Sequence, residues 1–152
     1  EYPLIITRGV LKEVEKHSMC RLNHGREISF LTLKLIRELQ EKTEDILKEA
    51  EIDSLNIDSF KYAVYWAAKD SFRDDYRKKV KDEISDIDKE IIVTALFLSR
   101  SKYKGVPISS ANILSPDSHI KKTVETLKSP KFGYTGIKVI PTRGDIRSYL
   151  RK

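Results

Sequence analysis

The run Ile91-Ile92-Val93-Thr94-Ala95-Leu96-Phe97-Leu98 constrains this chain more than any other segment. It follows Ser85, whose three-residue spacing to Asp88 fits a capping box, so the run reads as a helix that begins near Ser85. A helix apolar nearly all round has no face to give to water and must be wrapped by other elements. It is therefore expected to be the central buried helix of a layered domain. With 152 residues, of which 39% are hydrophobic and 34% charged, the chain can close one ordinary core.

The segments around that helix alternate between short extended pieces and helices. Pro3 to Thr7 is short and β-rich, and Thr7 is placed to cap a helix carrying Val10, Leu11 and Val14. Asn23 and Gly25 mark a turn, after which Ile28, Leu31, Leu35, Leu39 and Ile46 return at helical spacing. A third helix is expected from Asn56–Ser59 to Val80, with Phe60, Val64, Ala68, Phe72, Tyr76 and Val80 recurring every four residues. Beyond the central helix, Gly105 to Ser109 reads as a strand. With Ser115 as N-cap and Pro116 at the first helical position, a helix opens that runs through Leu127; Gly136 to Ile140 is a strand, and Thr142 to Leu150 a short final helix.

Strands separated by helices imply a parallel sheet, here of three strands. Ligands of such sheets gather outside the carboxyl ends of the strands. The residues to inspect are then Thr7, Ser109 to Asn112, and Pro141 to Asp145.

Charge points to polyanions. The chain has 29 basic and 23 acidic side chains, formal charge +6, with an isoelectric point near 9.3. The stretch from Asp117 onward holds nine bases against three acids and by itself supplies that excess. Arg73, Arg77 and Lys81 are spaced four apart, as are Arg143, Arg147 and Arg151, so each trio would form a basic helical stripe able to lie along a phosphate backbone. Tyr62, Tyr65 and Trp66 suit either base stacking or packing against a partner, including a second copy. A single cysteine, Cys20, excludes an internal disulfide framework and favours a reducing compartment, expected to be the cytoplasm. No apolar run is long enough for a membrane span or a signal-peptide core, so no membrane partner is expected. His17, Cys20 and His24 are loosely spaced and lack an evident fourth ligand, which argues against structural zinc.

The acids carry the sharpest expectation. Asp86 and Asp88 open the central helix, and the order Asp88, two residues, Ile91, then a small-residue stretch reaching Ala95 resembles PIN-domain ribonucleases. The extended Leu4 to Thr7 followed by Val10-Leu11-Lys12-Glu13-Val14 is similar to that family's second strand and following helix. The resemblance implies an α/β, helix-rich, PIN-like three-layer fold with a short parallel sheet. It would form a single domain over residues 1–152, with 28–80 as an accessory helical region. It implies a metal-dependent endoribonuclease that hydrolyses RNA, or as a further polyanion DNA, using Mg²⁺ or Mn²⁺.

By that resemblance Glu13 and Asp88 are the catalytic acids, with Asp86, Asn112 and Asp117 as further metal ligands. Clustered carboxylates suit this chemistry because a hard cation held by oxygen ligands supplies a nucleophilic water and neutralises phosphate charge. Each acid also has a local use: Asp86, Asp88 and Asp117 sit where carboxylates cap helices, and Glu13 lies among Lys12, Glu15 and Lys16. The family's first-strand aspartate has no counterpart between Glu1 and Lys152. A natural N-terminal extension, a partner chain, or a degenerate, non-catalytic nucleic-acid-binding or assembly module would each account for that.

Overall fold

The computed structural model describes residues 4–19, 23–42, 47–49, 57–73, 84–103 and 105–140. It is helix-rich α/β, and the chain divides into two compact units, Glu1–Ile52 and Asp53–Lys152. The division runs through the stretch 28–80 that the sequence suggests as an accessory region.

In the first unit, strand β1 (Leu4–Ile6) leads directly into helix α1 (Arg8–Ser18). Thr7, 6% exposed, is the N-cap: its side-chain oxygen accepts from the Val10 amide at 3.4 Å, satisfying a donor that the helix start would otherwise orphan. Helix α2 (Asn23–Lys42) packs on α1 and extends through Gly25, where the sequence suggests a turn. A lone helical glycine costs only about 1 kcal/mol against alanine, which packing readily offsets. Strand β2 (Leu47–Glu49) pairs parallel with β1, Leu4 opposite Leu47 and Ile6 opposite Glu49. Sequence periodicity does not reveal it, because Leu-Lys-Glu has little strand propensity and is defined by its partner.

The second unit is built on helix α3 (Asp58–Ser71), helix α4 (Asp86–Leu98) and helix α5 (Ser118–Leu127). As its composition requires, α4 is wrapped: Ile92, Val93, Thr94, Ala95 and Leu96 are all buried. They share the core with Val64, Ala67, Ile120, Val124 and Leu127. Helix α3 stops earlier than its repeat of apolar residues suggests. Phe72 is its C-cap, with φ −112° and ψ 14°, so Arg73 lies beyond the helix. Phe72 itself is buried and meets the His119 ring at 5.1 Å, an anchor that ends the helix against α5.

The expected strand at Gly105 to Ser109 is displaced. Strands β3 (Lys102–Tyr103) and β4 (Val106–Pro107) form a two-residue hairpin around Gly105, which has φ +81°. Pro107 offers no amide to a ladder, which confines it to an edge. The parallel strand is instead β5 (Ala111–Leu114), paired with β6 (Ile137–Ile140) in the register Ala111 to Ile137 and Leu114 to Ile140. Ile113, Ile137 and Ile140 are buried, Ile137 and Ile140 on opposite faces of β6. In place of a single three-stranded sheet, the described residues form three two-stranded sheets, two of them parallel. No helix among the described residues is long and apolar enough to cross a membrane.

Candidate functional site

The second unit has two acid-bearing helix starts, those of α4 and α5. A Cβ on Gly136 would meet Ser109 O at 3.2 Å and Ser99 Cβ at 3.4 Å, and the Ala111 amide donates to Gly136 O at 2.7 Å. Ser99, the C-cap of α4, therefore lies at the amino ends of β5 and β6. Helix α4 also packs on β5. The carboxyl ends of β5 and β6, Leu114 and Ile140, lie at the opposite end of the pair. Ser115 extends the ladder there, its amide donating to Ile140 O at 3.2 Å, and Pro116 then leads to Asp117 at the start of α5.

Each carboxylate at these two helix starts has a local partner. Asp88 completes the capping box: its amide donates to Ser85 Oγ at 3.1 Å, and its Oδ2 accepts from the Ser85 amide at 3.3 Å. Asp86 is turned outward, its side chain 98% exposed, and its Oδ1 lies 3.0 Å from Lys89 Nζ. Asp117 is the N-cap of α5, accepting from the His119 amide at 2.6 Å, with His119 Nδ1 3.5 Å from the same oxygen. Such exposed pairs hold their partners weakly, so these oxygens can exchange partners at small cost.

The remaining expected site residues fall elsewhere. Glu13 is on α1 in the first unit, half exposed, with His17 Nε2 3.9 Å from its Oε1. Asn112 is not in a loop after a strand: it is the second residue of β5, opposite Lys138 and exposed. The register shift from 105–109 to 111–114 moves it from the carboxyl end into the ladder. Ser109 and Ser110 accordingly precede the strand. Arg73 lies past the end of α3, in a turn, and so is not presented on a helical stripe. Arg77, Lys81, Arg143, Arg147 and Arg151 lie outside the described residues, as do Cys20 and the expected final helix. Among the described residues no three His, Cys, Asp or Glu side chains are gathered closely enough to hold a metal ion.

A second surface lies on α3. Tyr62, Tyr65 and Trp66 are exposed, with Trp66 meeting the two tyrosine rings edge-on. Lys69 Nζ lies 4.4 Å from the centre of the Tyr65 ring. Sequence reasoning picked out the aromatic residues but not Lys69. Its four-residue spacing from Tyr65 is the signal that could have found it. By contrast, Arg100 lies 5.6 Å from the Phe60 ring centre and 5.0 Å from that of Tyr134, and serves packing. Comparison of the chain with family models, with curated proteins and with solved structures finds no match in any of the three.

Proposed function

We propose that this chain is a PIN-like α/β domain that acts on RNA as a metal-dependent endoribonuclease. The observation that carries the reading is the pair of acid-bearing helix starts in the second unit, Asp86 and Asp88 on α4 and Asp117 on α5, the latter entered directly from the carboxyl end of the parallel β5–β6 pair. That is where parallel sheets place their ligands. The donors are carboxylate oxygens, the type that Mg²⁺ and Mn²⁺ take, and Asp86 gives up only an exposed ion pair to reach an ion. Asp86 and Asp88 at the start of α4 would hold it, two ligands that leave the remaining positions to water and phosphate oxygens. Bound there, such an ion supplies an activated water and neutralises charge on the phosphate. Lys121 and Lys128, exposed on and just after α5, would attract the phosphate backbone.

A second reading, a nucleic-acid-binding module that does not cut, is favoured by a specific observation: Asp88 and Asp117 are both already engaged as helix caps. The experiment is a Mn²⁺ titration with generic single-stranded RNA, comparing the natural chain with Asp88→Asn. Asparagine keeps an oxygen that can accept from Ser85, so the cap and the fold persist while the charge is lost. The nuclease reading expects cut product that disappears in Asp88→Asn with RNA affinity retained. Binding of equal strength with no cut product from either protein overturns it and leaves the non-catalytic module.

A further inference from the structure

Helix α3 turns five small or apolar residues inward, Phe60, Ala63, Val64, Ala67 and Ala68. On the opposite face stand Tyr62, Tyr65 and Trp66, which are 67%, 43% and 40% exposed. The spacings 58, 62, 65 and 69 trace one stripe along a helix, so Asp58 and Lys69 mark the two ends of this face and Trp66 lies beside it. The rings form a connected platform, with Trp66 centred 6.0 Å from Tyr62 and 5.5 Å from Tyr65. Lys69 Nζ lies 4.4 Å from the centre of the Tyr65 ring and 5.5 Å from that of Trp66. Arg73 is exposed just past the end of the helix.

We propose that this face binds single-stranded nucleic acid, stacking unpaired bases on Tyr62, Tyr65 and Trp66 while Lys69 and Arg73 take the adjoining phosphates. The inference rests on the nucleic-acid part of the function proposed above and deepens it by naming unpaired strands as the substrate class. Exposed aromatic residues alone would suit a protein partner equally well, and Lys69 decides between the two. The core of a dry protein interface is depleted in lysine, because the ammonium loses its hydration there. Here an ammonium sits among the rings. Of the acids beside these rings, Asp58 is at the far end of the helix, with Lys61 Nζ 3.5 Å from its Oδ1, and Asp70, four residues from Trp66, is paired with Lys131. Each nucleotide of a single strand brings a flat base for the rings and a phosphate for the cation, and stacking of this kind tolerates any sequence. The chain's excess of bases, +6 overall, agrees with such a partner.

Trp66 is the chain's one tryptophan, so its emission reports on this face directly. The full chain, with EDTA present to prevent cutting, is titrated with a single-stranded RNA of about 12 nucleotides, the size that such platforms cover. DNA of the same sequence and an RNA duplex are run beside it. Saturable quenching by the single strands and little by the duplex is expected. Tyr62→Ala and Tyr65→Ala should each weaken binding on the order of ten-fold, and Lys69→Gln should lower the slope of log affinity against log salt by about 0.7. Equal quenching by DNA supports a site that reads bases and phosphates without the 2′-hydroxyl.

Fluorescently labelled RNA that binds with Trp66 emission and the tyrosine variants unaffected would overturn this inference and leave the function standing. No RNA binding by any measure overturns both. Self-association of the chain, abolished by Tyr62→Ala and unaccompanied by quenching with RNA, assigns the face to a second copy and likewise overturns it. Tyr62 and Tyr65 are exposed and Lys69 is half-buried, and circular dichroism checks that the helices persist in all three variants.

Discussion

Ser85 and Asp88 hold each other in a reciprocal arrangement at the start of α4. The Asp88 amide donates to Ser85 Oγ at 3.1 Å, while the Ser85 hydroxyl and amide donate to Asp88 Oδ2 at 2.7 and 3.3 Å. One pair of side chains thus satisfies donors at the mouth of the most buried helix, and places a carboxylate at the end of the unit where catalysis is proposed. Ser85→Ala removes the serine half of this arrangement. It is expected to lower stability by about 1 kcal/mol, read as a lower urea midpoint at unchanged slope. If Asp88 serves an ion as proposed, the same substitution leaves RNA cleavage measurable, whereas Asp88→Asn does not.

Gly136 and Gly133 offer a matched comparison. Both have positive φ, +83° and +67°, a conformation that costs an L-residue about 1–2 kcal/mol. Open space surrounds Gly133, but a Cβ on Gly136 would press on Ser109 O at 3.2 Å. That oxygen belongs to the backbone entering β5 and has little room to yield. Alanine at Gly136 should therefore destabilise more than alanine at Gly133, by a margin visible in parallel urea titrations. Equal losses would show that the approach between β6 and the segment before β5 relaxes freely.

Thr123 is fully buried on α5, and Thr94 is 3% exposed on α4, yet neither hydroxyl oxygen has a hydrogen-bond partner. A buried hydroxyl without a partner carries its desolvation cost uncompensated. Thr123→Val keeps the shape and removes the hydroxyl, so it should raise stability by about 1 kcal/mol, seen as a higher melting temperature. A loss of stability from this substitution would mean that the hydroxyl is bonded in solution.

Leu96 is fully buried at the centre of α4. Truncation to alanine removes its contacts and leaves a cavity in a close-packed core, at an expected cost of about 2–5 kcal/mol. Domains of ordinary stability hold only about 5–15 kcal/mol in total, so the variant should unfold at markedly lower urea. Leu98, two residues on and only partly covered, should cost clearly less under the same measurement.

Local signals and long-range ones fared differently. The burial of α4 and the caps Thr7 and Ser85 were legible in the chain, because each depends on residues within one helical turn; at α5 the sequence suggests Ser115 as the cap, whereas Asp117 takes that place. The placement of Asn112 was not. Val106-Pro107-Ile108 and Ala111-Asn112-Ile113-Leu114 are both short and apolar, and only pairing with residues some 26 positions away selects the second as the parallel strand. The end of α3 was hidden for a related reason: its four-residue repeat includes Phe72, which is buried as a C-cap against His119.

The amino-acid sequence by itself determined that one helix must be wrapped on all sides, where α1 and α4 begin, and that basic charge collects toward the C-terminal part. These follow from side-chain polarity and from hydrogen bonds closed within a few residues. Only the tertiary structure decided that β1 takes Leu47–Glu49 as its partner, that β5 rather than the preceding Val106 segment joins β6, and that α3 presents its tyrosines and tryptophan outward. Those choices depend on ladders and burial between segments far apart in the chain, whose free energy exists only once the segments meet.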